Sequence, residues 1–342
     1  MKKLIALLMA AVMVLSFSAC GQTATAQPAA EESGAGNVPT AAAEEKTAEF
    51  PTKEITIICP FSAGGGTDAL ARKLASLSEA ELGQPVIVVN KTGGSGAVGM
   101  GEGAAASPDG YTVTMVTVEC VLLPAAGLAS FTTDDFTPII RVNFDPAALF
   151  VRADSEYQTL DDFINAAKEK PGEITLMTDA YPAKSWLCGA LLQEEAGVEF
   201  NIIPEAGGAS EQISSLMGGH VEATLITPAE GAAYIESGDL RMLAVANSER
   251  DAKYPDVPTF IDCGYNVEVG TWRGFVVPKN TPTEIVKVLN DAFTAAYETA
   301  DMTEFLESSG FGAGYLNSED FAALLKQQTE QYTPVIQKYA NN

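Results

Sequence analysis

The sequence predicts an α/β protein with mainly parallel sheets. Two observations carry that prediction. Short apolar runs alternate with helix-period segments along most of the chain. Twice, an apolar run meets a glycine turn that opens into a helix pattern: CPFSAGGGTD (59–68) and PEAGGASEQ (204–212). The chain's 342 residues, 46% apolar and 19% charged, suit a globular protein with room for two ordinary domains.

In order, EITIICPF (54–61) reads as a strand before a helix from about 68 to 82. QPVIVVN (84–90) precedes a glycine-rich turn and a helix at 97–106, and YTVTMVTV (111–118) is a third strand. AALFVRA (147–153) leads to TLDDFINAAKEK, where Thr159 and Asp162 have capping-box spacing. Strands at 173–179, 199–205, 221–227 and 240–246 alternate with helices at 184–196, 209–217 and 228–237. TWRGFVVP (271–278) enters a helix that starts near Pro282, and a last helix covers about 318–339.

At the start, Lys2 and Lys3 precede the apolar run Leu4–Leu15, which has the form of a secretory signal and is too short for a comfortable span. LSFSACG (15–21) resembles a bacterial lipoprotein lipobox, with Phe17 where Leu is usual. It predicts a signal peptide over 1–20 and lipidation of Cys20. Residues 21–49 are rich in Ala, Gly, Thr, Pro and Glu, with hardly a large apolar side chain, and read as a flexible tether.

A formal charge of −25 argues against nucleic acid and against docking on anionic lipid heads. Cys59, Cys120, Cys188 and Cys263 are scattered, and His220 is the one histidine, so no metal site is expected. The same sequence leaves a disulfide open. Catalytic signals are weak: there is no G-x-S-x-G elbow, and His220 reads as a turn residue before a strand. GSGAVG (94–99) matches a dinucleotide fingerprint only formally, and no Lys follows Gly64–Gly66 as a P-loop needs. No cofactor is expected.

The triple glycine asks for another explanation. Gly in a folded segment costs about 0.5–1 kcal/mol relative to Ala. Before a helix amino terminus it lets the main chain curl into a concavity of N–H donors, where the helix dipole also favours an anion. Thr67 or Asp68 would cap the helix. Ligands of open α/β sheets bind beyond the carboxyl ends of the strands, which is where both glycine turns fall.

The stretch FPTKEITIICPFSAGGGTDALARKLASLSEAELGQPVIVVNKTGGSGAVGMGEGAAASPDGYTV (50–113) resembles the opening of the Bug-type solute receptors of tripartite tricarboxylate transporters. DDFTPII (134–140), GGHVEA (218–223), LRMLAVANSER (240–250), YPDVPTF (254–260) and WRGFVVPKNTPTEIVKVLN (272–290) resemble later blocks of that family. The resemblance implies a two-lobed, type II periplasmic-binding-protein fold that closes like a Venus flytrap. Its two crossover strands would lie near Ala148–Arg152 and Gly274–Pro278. Lobe 1 would be 50–151 plus 274–342, and lobe 2 would be 152–273.

It also implies a non-enzymatic, monomeric, extracytoplasmic receptor that delivers a small carboxylate to membrane permease subunits. The carboxylate could be a di- or tricarboxylate, an amino acid or an aromatic acid. A sensor lipoprotein of the same fold, acting on a signalling partner, is the alternative. Two loops would grip one carboxylate: Phe61, Ser62, Ala63, Gly64, Gly65, Gly66, Thr67 and Asp68, with Gly207, Gly208, Ala209 and Ser210. Thr117 and Glu119 fall near the family's cleft, and Glu119 would suit a ligand ammonium group. The chain departs from the family at DAYPAKSWL (179–187), where Trp186 replaces a usual His, and at Glu205 and Ala206. Lys184 either meets a second carboxylate or is a solvated helix-start lysine. Trp272 either walls the pocket or simply packs, and Arg273 reads as a surface or hinge residue.

Overall fold

The computed structural model describes residues 50–205 and 207–340; the signal peptide, Cys20 and the tether lie outside them. Strand β1 (Ile55–Cys59) leads into helix α1 (Gly66–Leu82), β2 (Val86–Asn90), α2 (Ala97–Ala104), β3 (Thr112–Thr117) and α3 (Glu119–Ala125). The long β4 (Phe136–Pro146) and short β5 (Ala148–Arg152) follow, then α4 (Leu160–Glu169), β6 (Thr175–Asp179), α5 (Lys184–Ala196) and β7 (Asn201–Glu205). Next come α6 (Ala209–Met217), β8 (Ala223–Ile226), α7 (Pro228–Ser237), β9 (Leu240–Val245) and β10 (Gly270–Pro278). The chain ends with α8 (Thr283–Tyr297), α9 (Ala300–Ser308), β11 (Ala313–Leu316) and α10 (Ser318–Tyr339).

These strands form two sheets, ordered β11-β4-β10-β3-β1-β2 and β7-β6-β8-β5-β9. The result is a two-lobed α/β architecture of type II. Within each sheet only part of the pairing is parallel: β1 with β2 and β3, and β6 with β7 and β8. Strands β10 and β11 run antiparallel to their partners, as does β5. The expectation of mainly parallel sheets therefore gives way to two mixed ones. A βαβ crossover gives parallel strands, whereas a strand that carries the chain between sheets is free to run back.

The chain passes between sheets twice, between Pro146 and Ala148 and again between Val245 and Gly270. Strand membership thus puts Ala148–Arg152 in the second sheet and Gly274–Pro278 in the first. One apolar core runs across both passages, joining Val116, Phe144 and Trp272 to Leu149, Leu176 and Leu225. A second core lies on the other face of the six-stranded sheet, between Ile57, Met115 and Phe275 and helices α1 and α8.

The expected Thr159–Asp162 capping box is present at α4. Pro282 is the N-cap of α8, as its position before that helix suggests. Helix α10 packs on β10: Trp272 is fully buried against Phe321, and Gly274 leaves room for the same ring. A Cβ at Gly274 would lie 2.5 Å from Phe321 and 2.9 Å from the Ile140 carbonyl. Gly274→Ala is expected to lower the unfolding free energy by about 1–3 kcal/mol, measured by urea titration.

Candidate functional site

The loop between β1 and α1 opens at the carboxyl end of a central parallel strand. Ser62 to Gly66 are exposed, Phe61 and Thr67 are half-buried, and Asp68 is buried. The three glycines have different reasons to be there. Gly64 has φ +82°, a left-handed conformation that penalises any side chain. Gly65 is the N-cap, in extended backbone. Gly66 faces Phe311, which a Cβ would approach to 2.9 Å.

Neither Thr67 nor Asp68 caps α1, contrary to expectation, because the helix begins at Gly66 and the N-cap has no side chain. Asp68 reaches back instead. Its carboxylate accepts the Gly64 N–H at 2.9 Å, Arg72 Nε at 3.0 Å and Asn90 Nδ2 at 2.8 Å. Asn90 Nδ2 also donates to the Phe61 carbonyl, so β2 and α1 hold both ends of the loop. Asp68 is therefore a brace, where the resemblance implies a ligand contact. Burial alone would raise its pKa, but Arg72, the Gly64 amide and Asn90 outweigh that and bring it to about 2. The first intrahelical bond of α1 is Ala69 N–H to Gly65 O. The amides of Gly66, Thr67 and Asp68 precede it and have no protein acceptor among the described residues.

Beside the loop, Thr117 ends β3 opposite Arg273 of β10, which in turn pairs with Asn143 of β4. The Thr117 hydroxyl donates to the Glu119 carboxylate, so these two expected site residues form a pair. Arg273, read from sequence as a surface or hinge residue, is mostly buried. Its Nε donates to Thr67 Oγ1 at 3.1 Å, its Nη1 meets Asp145 Oδ2 at 3.1 Å, and its guanidinium lies 4.6 Å from the Phe311 ring centre. Asp145 also accepts from Asn143 Nδ2 and the Gly312 amide. Phe311, Gly312 and Asp145 then line a cavity of about 300 Å³ whose far wall is Thr227, Pro228 and Tyr254. That wall belongs to the five-stranded sheet's side of the molecule.

The second glycine loop differs from the first. Gly208 caps α6 with φ 77° and ψ −167°, a region only glycine visits readily. The Gly207 amide is already bonded to Glu205 Oε1 at 2.9 Å, and the Glu211 carboxylate folds over Gly207. The Gly207 amide is therefore already taken, and the expected grip by this loop would fall to the amides of Ala209 and Ser210. Ala209 and Ser210 form the first turn of α6, and the Ser210 carbonyl accepts from Ser214. Lys184 starts α5 half-exposed and has no partner among the described residues. Trp272 does not wall the cleft. It is fully buried, and its Nε1 donates to Gln328 of α10 at 3.0 Å, because β10 alternates and this position faces the inner core.

Cys59, Cys120, Cys188 and Cys263 are free thiols, and burial pushes that of Cys188 up to about 12. No group of metal-ligating residues occurs among the described residues. Among these residues too, no helix is long and apolar enough to cross a membrane.

Two mixed sheets joined by two passages, with open helix-terminal amides at the strand ends, define a class: the two-lobed solute-binding proteins. The profile of the tripartite tricarboxylate transporter family receptor matches residues 70–340, and the chain belongs to that family. It is 33% identical to a Cupriavidus necator protein, the UPF0065 protein in gbd 5'region, over 86% of this chain and 90% of that one. A solute-binding protein of the same family from Polaromonas superposes with a TM-score of 0.80 at 38% identity, covering 85% of this chain and 100% of that one. MatC of Rhodopseudomonas palustris, solved with bound malate, gives 0.65 at 25% identity, covering 84% of this chain and 100% of that one. A further R. palustris protein, solved with adipate, gives 0.66 at 27%, covering 86% and 99%.

A carboxyl with a depressed pKa stabilises the fold fully above its unfolded titration range, near pH 4, and ceases to as the pH falls towards 2. Asp68→Asn should therefore cost about 2 kcal/mol at pH 7 and much less near pH 2, measured by urea unfolding across that range.

Proposed function

We propose that the chain is a lipid-anchored extracytoplasmic receptor that closes on a small carboxylate and delivers it to a membrane permease. The observation that carries this reading is the uncapped amino terminus of α1. There the Gly66–Asp68 amides lack a protein acceptor among the described residues, beside an exposed loop that the Asp68 carboxylate ties down. A hydrogen bond to a charged group contributes roughly 1.5–3 kcal/mol, and a helix terminus adds about 0.3–1. Less the costs of association and closure, several such contacts suit roughly micromolar to nanomolar affinity.

Malate and adipate, bound by two relatives, make a dicarboxylate the leading ligand class. The lobes that close would be 50–151 with 274–342, and 152–273, with strand membership placing the passages near Pro146–Ala148 and between Val245 and Gly270. Closure would be a hinge movement at the two passages. The signal and Cys20, read from sequence, supply the anchor and the export, and the acidic chain has no use for nucleic acid. The receptor would act as a monomer with permease subunits as partners.

The described residues fall within one compact unit, and a 48–342 chain suits a ligand screen. In a thermal-shift panel of mono-, di- and tricarboxylates, amino acids and aromatic acids, a true ligand at 100 times its dissociation constant should add about 2.7 kcal/mol of stability. No shift with any acid would refute the carboxylate reading. Gly64→Ala, strained at φ +82° though nothing lies within 4 Å of its Cβ, should cost about 1–2 kcal/mol and weaken ligand binding at least several-fold by calorimetry. In cells, Cys20→Ser should abolish incorporation of labelled fatty acid and release the protein from the membrane. Unchanged labelling would place the lipid elsewhere.

A further inference from the structure

The Arg273 side chain is 12% exposed, and that of its partner Asp145 is 14% exposed. A guanidinium carries its N–H donors in a fixed fork, so anchoring two of them fixes where the third points. Nε is used by Thr67 and Nη1 by Asp145, while Nη2, which is not itself buried, has no protein partner among the described residues. Phe311 covers one face of the guanidinium and touches Gly66, so the group is fixed against the loop's own residues. Asp145 is committed on its other sides to Asn143 and Gly312, and it balances the charge without enclosing the remaining edge. Arg273 also stands directly across from Thr117 in the sheet. A nearly buried cationic fork with a vacant edge thus adjoins the first-turn amides of α1.

We propose that Arg273 is a specificity-determining ligand contact: its vacant Nη2 edge binds the carboxylate that the Gly66–Asp68 amides hold, so the site selects an ionised acid over its neutral amide. This rests on the carboxylate reading given above. A guanidinium donor to a carboxylate is a charge-assisted bond, stronger than the same bond to an uncharged carbonyl. The amides and the helix dipole already favour the ionised form, and the arginine widens that preference. Lysine at the same place would keep the charge and lose the fork.

The test compares adipate with adipamide, and malate with malamide, by titration calorimetry on the full chain. Arg273→Gln leaves Asp145 buried without its cation, so the double variant Arg273→Gln/Asp145→Asn is measured beside it, with circular dichroism as the check on folding. The folded variants should bind the acid about 10- to 100-fold more weakly than wild type and lose no more than a few-fold for the diamide, so the acid-to-amide ratio falls. Arg273→Lys should recover part of the loss. Thr67→Val, which removes only the Nε partner, should leave the preference for acid over amide intact. Wild-type acid affinity in the double variant would overturn the proposal and leave the carboxylate reading standing. So would a Thr67→Val variant that loses the preference entirely, since Arg273 would then act only by holding Thr67. If the wild type binds no acid of the wider panel, both readings fall together.

Discussion

A single buried carboxylate sets the geometry on which the rest depends. Asp68, at the third position of α1, cannot be ionised in its buried place without donors, and it finds them on three segments: the Gly64 amide, Arg72 one turn on, and Asn90 at the end of β2. Satisfying the charge therefore fixes the loop. The consequence lies in what remains unused. Helices α4, α7, α9 and α10 begin with Thr159, Thr227, Thr299 and Asn317, whose side chains accept a first-turn amide. Helix α1 begins with Gly65, which has no side chain to do so. An ordinary cap would fill the place an anion needs, and a glycine N-cap leaves it open.

Much of the frame was legible because its signals are local. Strand and helix alternate with turn chemistry between them, and most bounds from α5 to β9 follow from hydrophobic period and glycine position alone. What escaped was long-range. Strand β4 is interrupted by Pro138 and by Arg141 and Asn143, so it does not read as a buried run, although it pairs with both β10 and β11. The short α3 and β11 are held by packing and pairing more than by any pattern of their own. The mixed direction of the sheets was equally invisible, since pairing direction depends on where a crossing strand lands.

The site was legible as backbone and largely illegible as side chains. Glycines advertise a special main-chain path, and Gly64 has one. Asp68 and Arg72 stand four apart on a helix, a spacing that suggests their pairing. Nothing local could have joined Thr67 to Arg273, which is 206 positions away, or Arg273 to Asp145, 128 away. Trp272 shows the opposite error. A tryptophan beside a crossover strand invites a role in the pocket, yet strand alternation turns it inward onto α10 while its neighbour Arg273 turns towards the loop.

The two glycine loops share a pattern and differ in electrostatics. Both follow a strand, both place glycine before a helix, and both leave the N-cap without a side chain. In the first, the nearby carboxylate is buried and shared among the Gly64 amide, Arg72 and Asn90, which leaves the Gly66, Thr67 and Asp68 amides without a protein partner among the described residues. In the second, Glu205 takes the Gly207 amide and Glu211 covers the same glycine. A carboxylate ligand approaching the second loop would have to displace one anion and lie beside another, at a cost that a helix dipole of about 0.3–1 kcal/mol does not offset. On the proposed reading the first loop is the better anion site, and the repeated sequence pattern is a repeat of backbone geometry without a repeat of chemistry.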